Sequence, residues 1–474
     1  MVKKNKWIPA VACLFLASGP AASAEQPASG VTYEVNDVTG PQRVQTVTVA
    51  PGKGGFITTK ARDRVLATET IPAQAKRYVD KGHRVVAAIN GDMYRVATGL
   101  PIGLQIQGNR ALVSHTVKES ALKFPSFAVN RDGRPEIGSY AMIGTLAGDG
   151  SPLTIHSLNR NESLTNRMAL FTRAHNPSGR LTILDPEKAF IDNGALVVLE
   201  TGAPVHWTLG GTGTAKVKTV YPSYRSGIEI PQNGVVLAAF GTMRERLLAA
   251  AVEGEDVSFR FDLRDMTTLA LRNDVKEAVS SYNWLVKGGR AQTLAELSAQ
   301  RDKYVMTSRK ARTAIGLTAD GTVKIVSVDQ GTSFSAGMTM TELANRMQDE
   351  GMTSAIAFDG GGSTELMVRR EGMLGLTTVN RPADGRSRSV TNGLLLISTA
   401  RPAGIVGGGY VRGAGGVCIG GKRTAGVRIL GSGGGAGGPG GKAFPGGHPG
   451  GGFRPCPPEP VKARGGGGGR SVAA

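Results

Sequence analysis

The sequence predicts an α+β fold, a single mixed-sheet domain over residues 25–400 followed by a Gly-rich tail. Three observations carry this. Short apolar runs recur from about residue 30 to 400 with turn residues between them. Helical periodicity is confined to four segments, near 70–80, 241–252, 293–302 and 339–350. No low-complexity linker and no repeat of solenoid period interrupts the body.

The two ends are different in kind. Residues 1–24 read as a cleavable export signal, with Lys3, Lys4 and Lys6 preceding an apolar stretch and Ala22-Ser-Ala24 as a small-residue cleavage site. That predicts an exported protein, periplasmic or secreted. The tail, 401–474, holds 28 glycines in 74 residues, and such a composition cannot bury enough apolar surface to offset its ordering entropy, so it is expected to be disordered. It carries ten Lys and Arg against Glu459 alone, and with the leader's three lysines it accounts for most of the formal +19. The body therefore carries a modest +7, with no interleaving of basic and aromatic residues, which argues against nucleic acid as a partner. The tail's Arg, Gly and Pro character suits contact with an anionic cell surface or a dispensable solvated extension. Cys13, Cys418 and Cys456 all lie in these end segments, so the body has no disulfide framework.

Within the body, Val85 to Ile89 reads as a buried strand, and Asn90-Gly-Asp-Met-Tyr94 follows it directly. Asn and Gly suit an ordinary turn, while Asp92 offers a carboxylate at a strand end. Residues Gly99 to Asn109 read as a hairpin on the same rim. Leu196–Leu199 and Val235–Phe240 are further apolar strands, and Val257–Leu263 alternates as a half-exposed strand should. Arg312–Thr318 and Thr322–Val328 flank Asp320-Gly321, a two-residue hairpin signal that sets Arg312 opposite Asp329. Thr339 and Glu342 have capping-box spacing, Met340, Leu343, Ala344 and Met347 share a face, and Gly351 suits the stop. A strand over 354–358 ends on Asp359, followed by Gly360, Gly361, Gly362, Ser363, Thr364 and Glu365.

Strand–helix–strand connections normally make parallel neighbours. Asp329 and Asp359 then end at one sheet edge, where Arg312 also arrives, beside a glycine turn of the kind that admits phosphate oxygens. Glu365 is in phase with Asp359 and Ser363, though a solvated strand position accounts for it slightly better. Arg381, Arg386 and Arg388 form either a loop reaching this site or an exposed basic loop. The six histidines show no metal spacing, and there is no G-x-S-x-G and no cysteine placed as a nucleophile. No cofactor signature is evident, while a divalent cation held by carboxylates stays open.

Read in order, these motifs resemble the phosphodiester glycosidase family. The match runs through Ala88–Tyr94, Pro101–Gly103, Ile230–Leu237, Leu285–Gly289, Arg312–Gly316, Ala357–Ser363 and Val390–Gly393. The chain departs from the family pattern at Ser280–Asn283 and at Met93. The resemblance implies hydrolysis of a sugar-1-phosphodiester of the α-N-acetylglucosaminyl type, freeing the sugar from a cell-envelope or extracellular glycan. It implies Asp359 and Asp92, with Asp329 at the same edge, as candidate catalytic carboxylates. Arg312, Thr313, Ser363 and the Gly360–Gly362 amides would hold phosphate, and Asn90, Gly91 and Asn392 would contact substrate. Two rivals remain: a non-catalytic binder of envelope polysaccharide or phosphopolymer, and an exopolyphosphatase-like phosphatase, whose D-x-G-G-G-S-T-E-L motif Asp359–Leu366 resembles with one residue fewer.

Overall fold

The computed structural model describes residues 24–398 apart from 39–41, 117–119, 149, 163, 177, 182, 184–192 and 203–207. The residues up to Ser23, most of the expected export signal, and the Gly-rich tail lie outside the described residues. Strand exceeds helix by 45% to 14%, so the protein is mostly β, and the strands form several sheets where the sequence suggests one. The four expected helices stand at 71–80, 242–250, 294–300 and 340–349, and a further short one at 303–307 is present among the described residues.

Six strands and one helix position the site, labelled here in chain order: β1 (Val85–Asn90), β2 (Arg312–Thr318), β3 (Val323–Val328), α1 (Met340–Asp349), β4 (Met352–Ala357), β5 (Leu366–Val368) and β6 (Asn392–Ile397). An eight-stranded sheet runs Glu25–Ala28, Val31–Val38, Gln42–Val49, β3, β2, β4, Asn283–Lys287, Arg290–Ala291. A five-stranded sheet runs Thr377–Thr378, β5, β1, β6, Gly55–Lys60. The two face one another across a dry core in which Ile315, Ile325 and Ile356 from the first meet Val86, Ile89, Leu366 and Leu394 from the second. α1 covers the opposite face of the eight-stranded sheet, packing Met340, Leu343, Ala344 and Met347 on Ala314, Val326 and Ala355. A twelve-stranded sheet curls around a third core. Its two ends nearly meet, since Ser114 N–H donates to Leu158 O at 3.3 Å and Leu158 N–H donates to Ser114 Oγ at 3.1 Å.

Local chemistry explains the pieces that matter. Thr339 Oγ1 accepts from Glu342 N–H at 3.2 Å and Glu342 Oε2 accepts from Thr339 N–H at 2.9 Å, so the predicted capping box starts α1. Thr339→Ala is therefore expected to cost about 1 kcal/mol in chemical denaturation. The β2–β3 hairpin differs from expectation by one residue. Arg312 pairs with Val328, and Ala319, Asp320 and Gly321 form a three-residue loop. Gly321 adopts φ +86°, and Asp320 Oδ1 accepts from Thr322 N–H at 3.0 Å, which draws Ala319 into the turn. β3 and β4 are parallel as expected, but they are not neighbours, because β2 lies between them and pairs antiparallel with both. Their C-terminal ends still share one sheet edge.

Candidate active site

The site forms where β4 and β1 end against each other. β4 delivers Asp359, whose N–H donates to Gly91 O at 3.0 Å, so Asp359 lies directly beside the β1 exit that carries Asp92. Asn90 makes the joint rigid. Its Nδ2 donates to Asp359 O at 2.7 Å, and its Oδ1 accepts from Thr313 Oγ1 at 2.8 Å and Glu365 N–H at 3.2 Å. Asn90 and Thr313 thus join three chain segments at the site.

Asp92 is buried, 1% exposed. One carboxylate oxygen accepts from Gly103 N–H at 2.6 Å, and its backbone N–H is held by Asn392 Oδ1 at 2.8 Å. Asn392 also donates through Nδ2 to Gln105 at 3.3 Å and accepts Gly91 N–H at 3.0 Å through its carbonyl, so it positions the β1 exit. The other oxygen of Asp92, Oδ1, is enclosed and has no hydrogen-bond partner among the described residues. Burial pushes the Asp92 carboxyl up to about 8, against the pull of the Gly103 amide and Arg160. Arg160, fully buried, sets this pull. It donates to Pro101 O at 2.7 Å and Ser114 O at 2.9 Å and pairs with Glu162 at 2.7 Å, pinning the segment that presents Gly103. Sequence reasoning missed Arg160, which belongs to no motif. The hairpin expected at Gly99–Asn109 is displaced to Gln105–Val113, turning at Gly108 and Asn109, both with positive φ.

Asp359 is only partly buried. Its pKa is raised, first by the enclosing protein, with Ser363, Arg301 and Arg388 opposing the rise. Ser363 stands beside both Asp359 and Tyr94, although its hydroxyl makes no bond of good geometry. The three glycines serve three separate needs. A Cβ on Gly360 would press within 2.8 Å of Ala311 O. Gly361 has φ +60°, which side chains other than glycine resist. A Cβ on Gly362 would overlap the Arg388 guanidinium. Their amides are mostly committed within the protein: Gly360 N–H donates to Asp359 Oδ1 at 3.1 Å and Gly361 N–H to Ala311 O at 2.8 Å, while Gly362 N–H has no acceptor among the described residues. Gly362→Ala is expected to displace Arg388 and raise KM about tenfold with little change in cooperative melting, measured by initial rates and circular dichroism.

The remaining candidates divide. Arg312 is 5% exposed, and its guanidinium donates to three carbonyls, Met338 O at 2.9 Å, Val305 O at 3.1 Å and Ser308 O at 2.7 Å. Burial and the neighbouring Arg301 lower its pKa to about 10. Asp329 sits at the same edge, two strands from Asp359, roughly 10 Å by strand spacing. Its oxygens accept from Gln45 Nε2 at 3.0 Å and Arg381 N–H at 2.9 Å, so its charge anchors the loop after residue 380. Glu365 is not solvated as expected. It is 2% exposed, accepts from Thr378 at 3.1 Å and from Ser387 at 2.5 Å, and burial raises its pKa. Of the basic loop, Arg388 reaches Asp359's surroundings while paired with Asp384 at 2.7 Å; Arg381 and Arg386 are exposed. Arg301, which the sequence reading overlooked, stands on Asp359's other flank, against Met93 Sδ and over the Tyr282 ring at 5.5 Å. Met93 and Ser280–Asn283, where the chain departs from the family pattern, thus supply both supports of one arginine.

Residues 208–397 match the family model described as Phosphodiester glycosidase. That segment is similar to a phosphodiester glycosidase domain. Arg301, Arg312, Asp329 and Asp359 fall inside the matched glycosidase segment, whereas Asn90 and Asp92 precede it and join it only through the fold. The same fold occurs in a hypothetical protein from Synechocystis, at TM-score 0.60 and 19% identity over 81% of this chain and 64% of that one. A protein from Burkholderia pseudomallei K96243 shares it at TM-score 0.58 and 19% identity, covering 75% of this chain and 74% of that one. The SPbeta prophage-derived uncharacterized protein YomE of Bacillus subtilis (strain 168) is 34% identical over 113 residues, 24% of this chain. The chain spans only 16% of that relative's length.

Proposed function

We propose that the protein hydrolyses a sugar-1-phosphodiester, releasing free sugar and leaving a phosphomonoester on its carrier. The observation that carries this reading is the Asp359 N–H to Gly91 O bond, which sets two carboxylates with different surroundings side by side. Asp92, dry and without an ion-pair partner among the described residues, has its carboxyl raised to about 8, which favours the protonated acid at neutral pH. Asp359, only partly buried and flanked by Arg301 and Arg388, whose charges oppose the rise in its pKa, is the second carboxyl. Two carboxyls in such different surroundings can divide acid and base work between them. A phosphomonoester is a weakly basic leaving group, so departure depends more on positive charge around the phosphate than on full protonation. The α-N-acetylglucosaminyl diester is the substrate suggested by the family motifs, and the leader-like residues 1–24 support an exported setting on envelope or extracellular glycans.

Phosphorus NMR on purified protein tests the reading. Conversion of an α-N-acetylglucosaminyl 1-phosphodiester to a phosphomonoester, with sugar appearing in equal amount, is the expected result. Tight binding without turnover would make the protein a binder, and inorganic phosphate released from polyphosphate would make it a phosphatase.

A further inference from the structure

We infer that Arg301 is the cation that receives the phosphate of the diester, with Tyr282 and Met93 as its supports. The inference rests on the glycosidase reading for its substrate but on separate observations for its site. Arg301 ends the helix Leu294–Gln300, where its backbone turns to φ −155° and ψ 170° and its N–H caps Leu297 O at 3.2 Å. The guanidinium lies over the half-buried Tyr282 ring and against Met93 Sδ, a weak acceptor that leaves the fork's hydrogen-bonding capacity largely unused. A ring on one side of the guanidinium leaves its N–H edges open, the presentation that suits a phosphate's paired oxygens.

The comparison with the two neighbouring arginines decides the assignment. Arg312 commits its Nε and Nη2 to three backbone carbonyls that fix its place in the fold, and Arg388 is held by the Asp384 carboxylate. Among the described residues, no carboxylate lies within ion-pair distance of Arg301, although Asp359 and Asp302 both attract it through space. A half-buried guanidinium without an anion, on the flank of the proposed reacting carboxylate, leaves an anion's place open. Arg312 then acts as a positioning residue: it ties the segment Val305–Ser308 and Met338 to the start of β2, beneath the glycine turn.

The test compares full-length wild type, Arg301→Gln, Arg301→Lys and Arg312→Lys by calorimetric titration with inorganic phosphate, alongside thermal melts and diester kinetics. Arg301→Gln is expected to weaken phosphate binding about tenfold or more and to raise KM for the diester by a similar factor, while melting stays cooperative. Arg301→Lys should recover only part of the affinity, because an ammonium cannot stack or fork. Arg312→Lys should lower the melting temperature yet change phosphate affinity less than about threefold. Unchanged phosphate affinity in a folded Arg301→Gln variant, or a phosphate loss confined to Arg312→Lys, would overturn the inference. Phosphate binding that depends on Arg301 in a protein that never cleaves the diester would uphold the anion site and remove the glycosidase reading instead.

Discussion

Asp359→Asn is expected to abolish sugar release, lowering kcat by about a thousandfold or more, equivalent to roughly 4 kcal/mol of barrier. The substitution keeps the shape of the side chain and an oxygen to accept Gly360 N–H. The backbone bond to Gly91 O is untouched, so the joint between β1 and β4 survives. The loss should therefore appear with an unchanged melting profile and near-normal phosphate binding. Activity retained within tenfold of wild type in a folded Asp359→Asn protein would remove Asp359 from the chemistry and leave Asp92 without its partner.

Asp92→Asn has the second large effect, and it acts in opposite directions on activity and stability. Activity should fall about a hundredfold or more, since an amide cannot pass a proton. Stability should rise, for a reason that follows from the direction of the shift. The folded carboxyl is raised to about 8 from an ordinary value of 3.8, so between those values the native state holds a proton that the unfolded chain has released. Stability from this group is therefore complete below the unfolded value and is lost as pH rises toward 8. Asparagine removes that dependence while its oxygen keeps the Gly103 N–H. Wild type and Asp92→Asn should be similarly stable near pH 4 and diverge as pH rises, with the variant ahead by about 2 kcal/mol or more at neutral pH. Denaturant titrations across that range provide the check. In the wild type, kcat/KM should decline as pH rises through about 8, where Asp92 loses its proton.

The contrast between what was legible in the sequence and what was not follows the range of the forces involved. α1 was readable to its caps because Thr339, Glu342 and Gly351 act on their own few neighbours. The meeting of Arg312, Asp329 and Asp359 at one edge was readable because one turn and one crossover fix it, even though the hairpin slips by a residue when Asp320 draws Ala319 into its loop. The number of sheets was not readable. β1 is flanked by β5 and β6, both roughly three hundred residues later in the chain, and no local pattern announces that pairing. Glu365 shows the same limit on a smaller scale. Alternation gave its phase, but its burial depends on Thr378 in a later strand and Ser387 in the loop beyond it. Arg301 and Arg160 carried no motif at all; each matters for what surrounds it, Tyr282 and Met93 for one, the carbonyls of Pro101 and Ser114 for the other. The glycine run was conspicuous from the start, yet its reasons differ by position: close approach at Gly360, a left-handed backbone at Gly361 and room for Arg388 at Gly362.

The central claim is that water attacks the sugar and the bond between its anomeric carbon and the phosphate oxygen breaks. Hydrolysis of a sugar-1-phosphodiester in water labelled with heavy oxygen, followed by mass spectrometry of both products, tests this most directly. Label at the anomeric hydroxyl and an unlabelled phosphomonoester is the predicted result; label in the phosphate, with the sugar unlabelled, would contradict it.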